Sequence, residues 1–498
     1  MGKRPSQPVW TAAQVALVYD NYGYDVEPGP SSPPRSSSPS WGVLFNLTNA
    51  IAGASIIYIP HAMAEGGFLP VLGLLFLCGG LTLYAMNILV ILGHHHHARS
   101  FEDLAQLAFG VPGYLAVCFF QFTFSFGANC SYLLVIADTL PVVLGRLCKM
   151  HFAHGEPVPS SQTPWYLRLA TDRYICVTFV TFVVLLPICI HRSFASLEKF
   201  AGLSVVSVVF CTGVVLFECV FHKDEYVADS RGFMYDYIEV HTDIFPALGT
   251  IAFAYVCQHQ TFLVYNTMFP ATPRAFADVS RIGVAVSVVL ICALSIPGYL
   301  LFLHATRSDI FLNFTDLSDK LIQVCRLLTA VNMILTYPQE FMVARHTVQR
   351  LVDLRHARRS VVDLFQEQAK PINRRAAWHD PIDEDLPTPS PLPPSSELST
   401  HAHVLVTLFL LASTLLISIA DRRLGDVTSL TGSFSAVALA FVLPAACHLK
   451  LQVPIKERGQ WKDRIFPWFT ITFGTIVFFV STTTTILAIH RRHTSALP

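Results

Sequence analysis

The sequence predicts an all-α polytopic membrane protein of about eleven transmembrane helices, the first of them interrupted. Composition is the first reason: hydrophobic residues make up 52% of the 498-residue chain and charged residues 14%, where a soluble domain carries about 25% charge. Length is the second, because apolar windows of about 20 residues, enough to cross the hydrocarbon core as a helix, recur along the chain. The third is a polar flaw in the first window, Phe45-Asn46-Leu47-Thr48-Asn49-Ala50-Ile51-Ala52-Gly53-Ala54-Ser55-Ile56-Ile57-Tyr58-Ile59-Pro60. A helix in lipid must satisfy its own backbone, so Asn, Thr, Ser, Gly and Pro in one span are costly unless they line a cavity. Transporters bind cargo at such breaks.

The windows fall at 42–63, 68–93, 114–146, 173–190, 200–221, 243–266, 281–303, 320–346, 402–420, 430–448 and 464–489. The boundaries are weakest at 173–190, which is short, and at 320–346, which Arg326 interrupts. Residues 1–41 are polar and rich in Pro and Ser, with no apolar core of a cleavable signal peptide, and read as a disordered cytosolic tail. The chain then divides into helices 1–8 over 42–346, a partly disordered cytosolic linker over 347–401, helices 9–11 over 402–489 and a short C-terminal tail, 490–498. Within the linker, 353–400 passes from basic to acidic to Pro-rich sequence and has little to bury. It and the N-terminal tail are where cytosolic regulators would act.

Lys and Arg gather in the tail, from Arg345 to Arg375 and from Lys450 to Arg464, which puts the N-terminus in the cytosol. The sequon Asn313-Phe314-Thr315 then lies outside, a glycosylation candidate, whereas those at Asn46 and Asn129 fall within spans. The twelve cysteines show no metal-like spacing. Cys148 and Cys176 flank the long loop between spans 3 and 4 and are a candidate disulfide. His94-His95-His96-His97 reads first as an exposed polar loop, with metal or pH sensing as the sharper alternative. Arg326, Glu218, Asp138 and Glu340 are intramembrane charges that need partners, which the sequence does not name. No Walker loop, GxSxG or HExxH motif occurs, which disfavours a pump or a membrane enzyme.

Several blocks carry a resemblance. Asn46 to Ile51, with Gly53, Ser55 and Pro60, resembles the first helix of the sodium-coupled neutral amino acid transporter family, within the amino acid/auxin permease group. Phe253-Ala254-Tyr255-Val256-Cys257-Gln258-His259-Gln260-Thr261-Phe262-Leu263-Val264-Tyr265 is similar to its sixth helix, and Ile334-Leu335-Thr336-Tyr337-Pro338 with Glu340 and Arg345 to its eighth. The last two blocks look most like the transporter 11 branch, with fungal and plant vacuolar permeases as close rivals.

The resemblance implies a LeuT/APC-like fold of two inverted five-helix repeats, with helices 1 and 6 discontinuous and helix 11 peripheral. Substrate would meet Gly53, Ala54, Ser55, Phe253, Tyr255 and Gln258, its carboxylate on backbone N–H groups exposed at the break. A coupling cation would meet Asn49 and Thr336, with carbonyls of Thr48 and Ile51; for Asn49 the alternative is an interhelical hydrogen bond, for Thr336 repair of the helix at Pro338. Two departures stand out: Gly53-Ala54-Ser55 where the family commonly reads Gly-Ser-Gly, and Cys257-Gln258 where it reads Cys-His, His259 following at once. The implied function is secondary active transport of neutral L-amino acids by alternating access, coupled to Na+ or H+, with no cofactor and no nucleic acid partner, in the plasma membrane or a vacuolar/lysosomal membrane. A proton-coupled vacuolar exporter and an amino acid sensor are the rival readings.

Overall fold

The computed structural model describes residues 40–53, 55–148, 150–153, 156–158, 163–191, 201–226, 230–268, 271–314, 319–368, 399–420, 423–451 and 460–494. Ala54, Thr315, the N-terminal tail and most of the Pro-rich linker lie outside them. Among the described residues ten helices are long and apolar enough to cross a membrane. The eleventh crossing is a broken helix, Ile244–Tyr255 followed by Gln258–Thr267.

Span 1 (Trp41–Gly66) is itself in pieces: an α-helix to Thr48, a π turn Asn49–Gly53, a 3-10 turn Ser55–Tyr58 and a second α-helix, Ile59–Gly66. Pro60 sits in the first turn of that last piece, where its missing N–H costs nothing. The other crossings are span 2 (Phe68–His96), span 3 (Val111–Leu147), span 4 (Arg173–Ile190), span 5 (Ala201–Phe221), span 7 (Pro273–Ala305), span 8 (Lys320–Val352), span 9 (Thr400–Ala420), span 10 (Leu424–Leu451) and span 11 (Arg464–Arg491). The broken helix is span 6. A short hairpin, His151–Ala153 against Glu156–Val158, follows span 3.

One expected boundary moves, that between span 8 and the linker, while span 4 keeps its expected bounds. The helix of span 8 runs unbroken from Lys320 to Gln368, with Pro338 inside it, and so takes in the first part of the expected linker. Span 4 is continuous as helix, π turn and helix from Arg173 to Ile190.

Polarity is arranged inside out. Phe119, Phe179, Val206, Phe409 and Phe479 are exposed, while Asn49, Ser125, Asn129, Gln258, His259, Asn332 and Glu340 are buried, the pattern of a chain whose solvent is lipid and whose interior is functional. Spans 3 and 8 pack along each other, and the first half of span 6 packs on the second half of span 1. Span 6 meets span 10 at two glycines: a methyl on Gly432 would overlap the carbonyl of Gly249, and one on Gly249 would stand 2.6 Å from the carbonyl of Ser429. Small residues let two backbones approach this closely.

Four intramembrane charges acquire partners. Asp138 is paired with Arg173 at 2.7 Å, Glu218 with His222 at 2.9 Å and Glu340 with His259 at 3.1 Å. Arg326 donates to the carbonyls of Phe311 and Phe314, each at 2.8 Å. Cys148 and Cys176 are both free, exposed and buried respectively, so the candidate disulfide is not formed. The histidine run ends span 2 as helix rather than loop, with His94 Nδ1 3.2 Å from the hydroxyl of Tyr265.

Candidate functional site: the breaks of spans 1 and 6

The break in span 1 is held by three side chains from two other spans. Ser204 of span 5 donates to Oδ1 of Asn49 and lies within hydrogen-bond reach of Oδ1 of Asn332 on span 8. The amide nitrogen of Asn332 donates to the carbonyl of Gly53 at 2.6 Å, which directs its oxygen toward Ser204, and Thr336 donates to that same oxygen at 3.4 Å. One hydroxyl proton therefore stands between two amide oxygens. Oxygen atoms of Asn49, Ser204, Asn332 and Thr336 converge with few protons to share, the donor set that suits a hard monovalent cation. Gly53 makes the knot possible, because a methyl there would overlap Asn49 Oδ1.

The predicted cation ligands Asn49 and Thr336 are thus brought together, through two residues that the sequence reading missed. Thr48, buried, ends the helix just before the knot. The carbonyl of Ile51, an expected ligand, instead accepts from Ser55 Oγ at 2.5 Å, so in this arrangement Ser55 repairs the π turn. Asn332 carried a signal that could have found it: an amide among apolar residues, one helical turn before Thr336. Ser204 carried none.

Span 6 breaks at Val256 and Cys257 with neither Gly nor Pro. Its freed groups are met locally: Gln258 Oε1 accepts from the N–H of Cys257 at 3.0 Å, Thr82 of span 2 donates to the carbonyl of Tyr255 at 3.3 Å, and Thr261 to that of Cys257 at 3.2 Å. Gln258 is fully buried, and its Nε2 has no partner. Phe253 lies edge-on to Tyr58 at 5.9 Å and against Phe124 of span 3 at 5.4 Å, which joins the two broken helices through aromatic contact. Tyr255 does not join them: its ring lies against Gly79 of span 2, the nearest atom 3.5 Å from where a methyl on that glycine would stand. Buried polar atoms without partners, Tyr58 Oη, Gln258 Nε2, His259 Nδ1 and both amide atoms of Asn129, remain on spans 1, 3 and 6.

Beside the break, Gly53, Ile56, Cys211, Leu294, Asn332 and Met333 line a cleft with about 10 Å³ of room for water. That is room for at most about one water, so the cleft in this arrangement is too small for an amino acid.

Residues 36–487 match the family described as "Transmembrane amino acid transporter protein". The chain belongs to that family. Similar curated proteins include "Putative sodium-coupled neutral amino acid transporter 11" of Danio rerio, 27% identical over 88% of this chain and 83% of the relative, and its namesake in Mus musculus, 25% identical over the same shares. "Vacuolar amino acid transporter 2" of Saccharomyces cerevisiae is 25% identical over 89% of this chain and 82% of its own length. Among solved structures, a crystal structure of MhsT in complex with L-phenylalanine superposes with a TM-score of 0.54 at 8% identity, covering 91% of this chain and 100% of that one. The transporter therefore has a LeuT-like fold, and its broken spans 1 and 6 occupy equivalent positions in the two repeats. It moves amino acids; its relatives are carriers, not enzymes.

Proposed function

We propose that the transporter is a cation-coupled secondary carrier of neutral L-amino acids that works by alternating access. The observation that carries this reading is the oxygen knot of Asn49, Ser204, Asn332 and Thr336 at a broken helix. A cation there replaces the missing protons and holds span 1 against spans 5 and 8. Amino acid carboxylate binds the backbone at Gly53, Ala54 and Ser55, with Phe253 and Gln258 facing it and Tyr255 as an outer wall. Neutral specificity is supported by the uncharged lining of the break and by the printed names of the transporter 11 relatives. The closed cleft supports alternating access, since substrate can enter only if spans 1 and 6 move relative to spans 3 and 8. The same reading has the N-terminus in the cytosol and Asn313 glycosylated on the other side.

A second reading, a proton-coupled exporter of a vacuolar or lysosomal membrane, is favoured by the likeness to the yeast vacuolar transporter. Uptake of a pooled set of labelled amino acids into proteoliposomes, with a Na+ gradient, a pH gradient or neither, tests both. Na+-driven accumulation that collapses in Asn49→Ala supports the first. Flux driven only by pH moves the assignment to the second, and no flux from folded protein refutes transport.

A further inference from the structure

Glu340 is buried in the middle of span 8, one helical turn beyond Thr336, and the oxygen knot does not use it. Its carboxyl is surrounded by donors from two other spans. Ser125 of span 3 donates to Oε2 at 2.9 Å, Gln260 of span 6 to Oε1 at 2.7 Å, and Nε2 of His259 stands 3.1 Å from both oxygens. Phe124 covers the imidazole at 5.1 Å. We propose that Glu340 is the proton-carrying group of this transporter, loaded from one side of the membrane and unloaded to the other in each cycle, with His259, Ser125 and Gln260 as positioning residues. The inference rests on the transport reading above and belongs to its proton-coupled form.

The chemistry of the cluster allows two charge states. Ionised, Glu340 accepts from the hydroxyl of Ser125, the amide of Gln260 and the Nε2–H of a neutral His259, so three donors compensate a charge that lipid and protein would otherwise penalise. Protonated, it forms one O–H bond, and that O–H can turn to Ser125 Oγ, since a hydroxyl accepts as readily as it donates. The added proton belongs on the carboxyl rather than on the imidazole, because His259 Nδ1 is buried with no acceptor. Other ionisable groups do not take over the role. From span 3, Tyr132 faces the site electrostatically, and His259 is the one ion-pair partner found for Glu340 among the described residues. Two arginines of span 8 are engaged elsewhere, Arg326 with the carbonyls of Phe311 and Phe314, Arg345 with those of Cys189 and His191.

Position couples the proton to movement. The donors from span 6 belong to a broken helix, while Ser125 and Glu340 sit on spans 3 and 8, which pack along each other. Sliding span 6 away removes two of the three donors and leaves an ionised Glu340 nearly bare. A protonated one loses far less, so the neutral form is the one that crosses.

Glu340→Gln tests this in the purified full-length protein. Glutamine is neutral and nearly isosteric, accepts from Gln260 and His259, and donates to Ser125, so it imitates the loaded state permanently. The expected result is loss of pH-gradient-driven accumulation with amino acid counterflow retained. Accumulation equal to the parent, or loss of counterflow together with accumulation, overturns the proposal. A parent-only measurement guards against misfolding of the variant: with a pH dye trapped in the vesicles, amino acid entry must carry protons with it. Net amino acid entry without proton movement overturns this inference alone, whereas no counterflow in the parent overturns the transport reading beneath it.

Discussion

The side-chain amide of Asn332 on span 8 donates to the carbonyl of Gly53 on span 1 at 2.6 Å, so the middle of one helix holds the break of another. Removing one partner of a buried hydrogen bond costs about 1–3 kcal/mol. Asn332→Ala is expected to lower uptake by roughly tenfold or more, because the same substitution deletes an oxygen of the proposed cation knot. Thr336→Ala should cost less, since its bond to Asn332 is long at 3.4 Å. Initial rates in proteoliposomes at matched protein give the order; equal losses would mean that Asn332 is not the organising residue.

Gly53→Ala places a methyl on Asn49 Oδ1. Overpacking of this kind costs roughly 1–3 kcal/mol, and it falls on the break itself. The expected outcome is loss of transport with a small drop in melting temperature, read by uptake and by thermal unfolding in detergent. Wild-type uptake would show that the knot opens during transport without needing the close approach.

Gly432 approaches Gly249 so closely that no side chain fits between spans 10 and 6. Gly432→Val should therefore destabilise the whole bundle by about 1–3 kcal/mol or more, visible as a lower melting temperature and poor recovery of monodisperse protein. An unchanged melting temperature would refute the packing argument.

Asp309 lies outside the spans, in the segment between spans 7 and 8, where burial pushes its carboxyl up from 3.8 to about 6, against the lowering influence of the Phe311 N–H and of Arg326. One oxygen accepts from Phe311 at 2.9 Å and the other has no partner. The folded protein thus holds this proton more tightly than the unfolded chain does. Stability tied to it is present below about pH 4 and is lost as pH rises to about 6. Asp309→Asn should remove that part of the pH dependence, so melting temperatures of the two proteins between pH 4 and 7 should converge at the acid end and separate at the neutral end, the variant higher. Parallel curves would mean that Asp309 is not the group.

Cys148 and Asn313 lie on the same side of the bundle, after spans 3 and 7, and Cys148 is exposed. With the N-terminus in the cytosol, Asn313→Gln is expected to remove one glycan and sharpen the protein band. An impermeant maleimide applied to that same face should label Cys148. Labelling only after the opposite face is opened would invert the proposed topology.

How far the sequence could be read depended on the range of each interaction. The span 1 break was legible because Asn49, Gly53 and Pro60 are neighbours in one apolar window, and their polarity and backbone freedom are local properties. The residues at the break of span 6 were legible only by resemblance: no Gly or Pro marks Val256 and Cys257, and the turn is stabilised by Gln258 folding back on its own backbone and by Thr82 from another span. Tyr255 was named from its block, and only the helix geometry places its ring against Gly79 of span 2. The linker looked unstructured from its composition, but its first part continues the helix of span 8 to Gln368.

The sequence by itself determined that the chain crosses a bilayer, about how many times, and where its first helix fails, because hydropathy and backbone satisfaction are decided within about 20 consecutive residues. Only the tertiary structure decided which polar atoms meet. Ser204 reaches Asn49 across 155 positions, and Glu340 reaches His259 across 81; no local pattern names either pairing. Burial in a medium without water makes such groups seek partners, and the packing of the two repeats selects which partners they find.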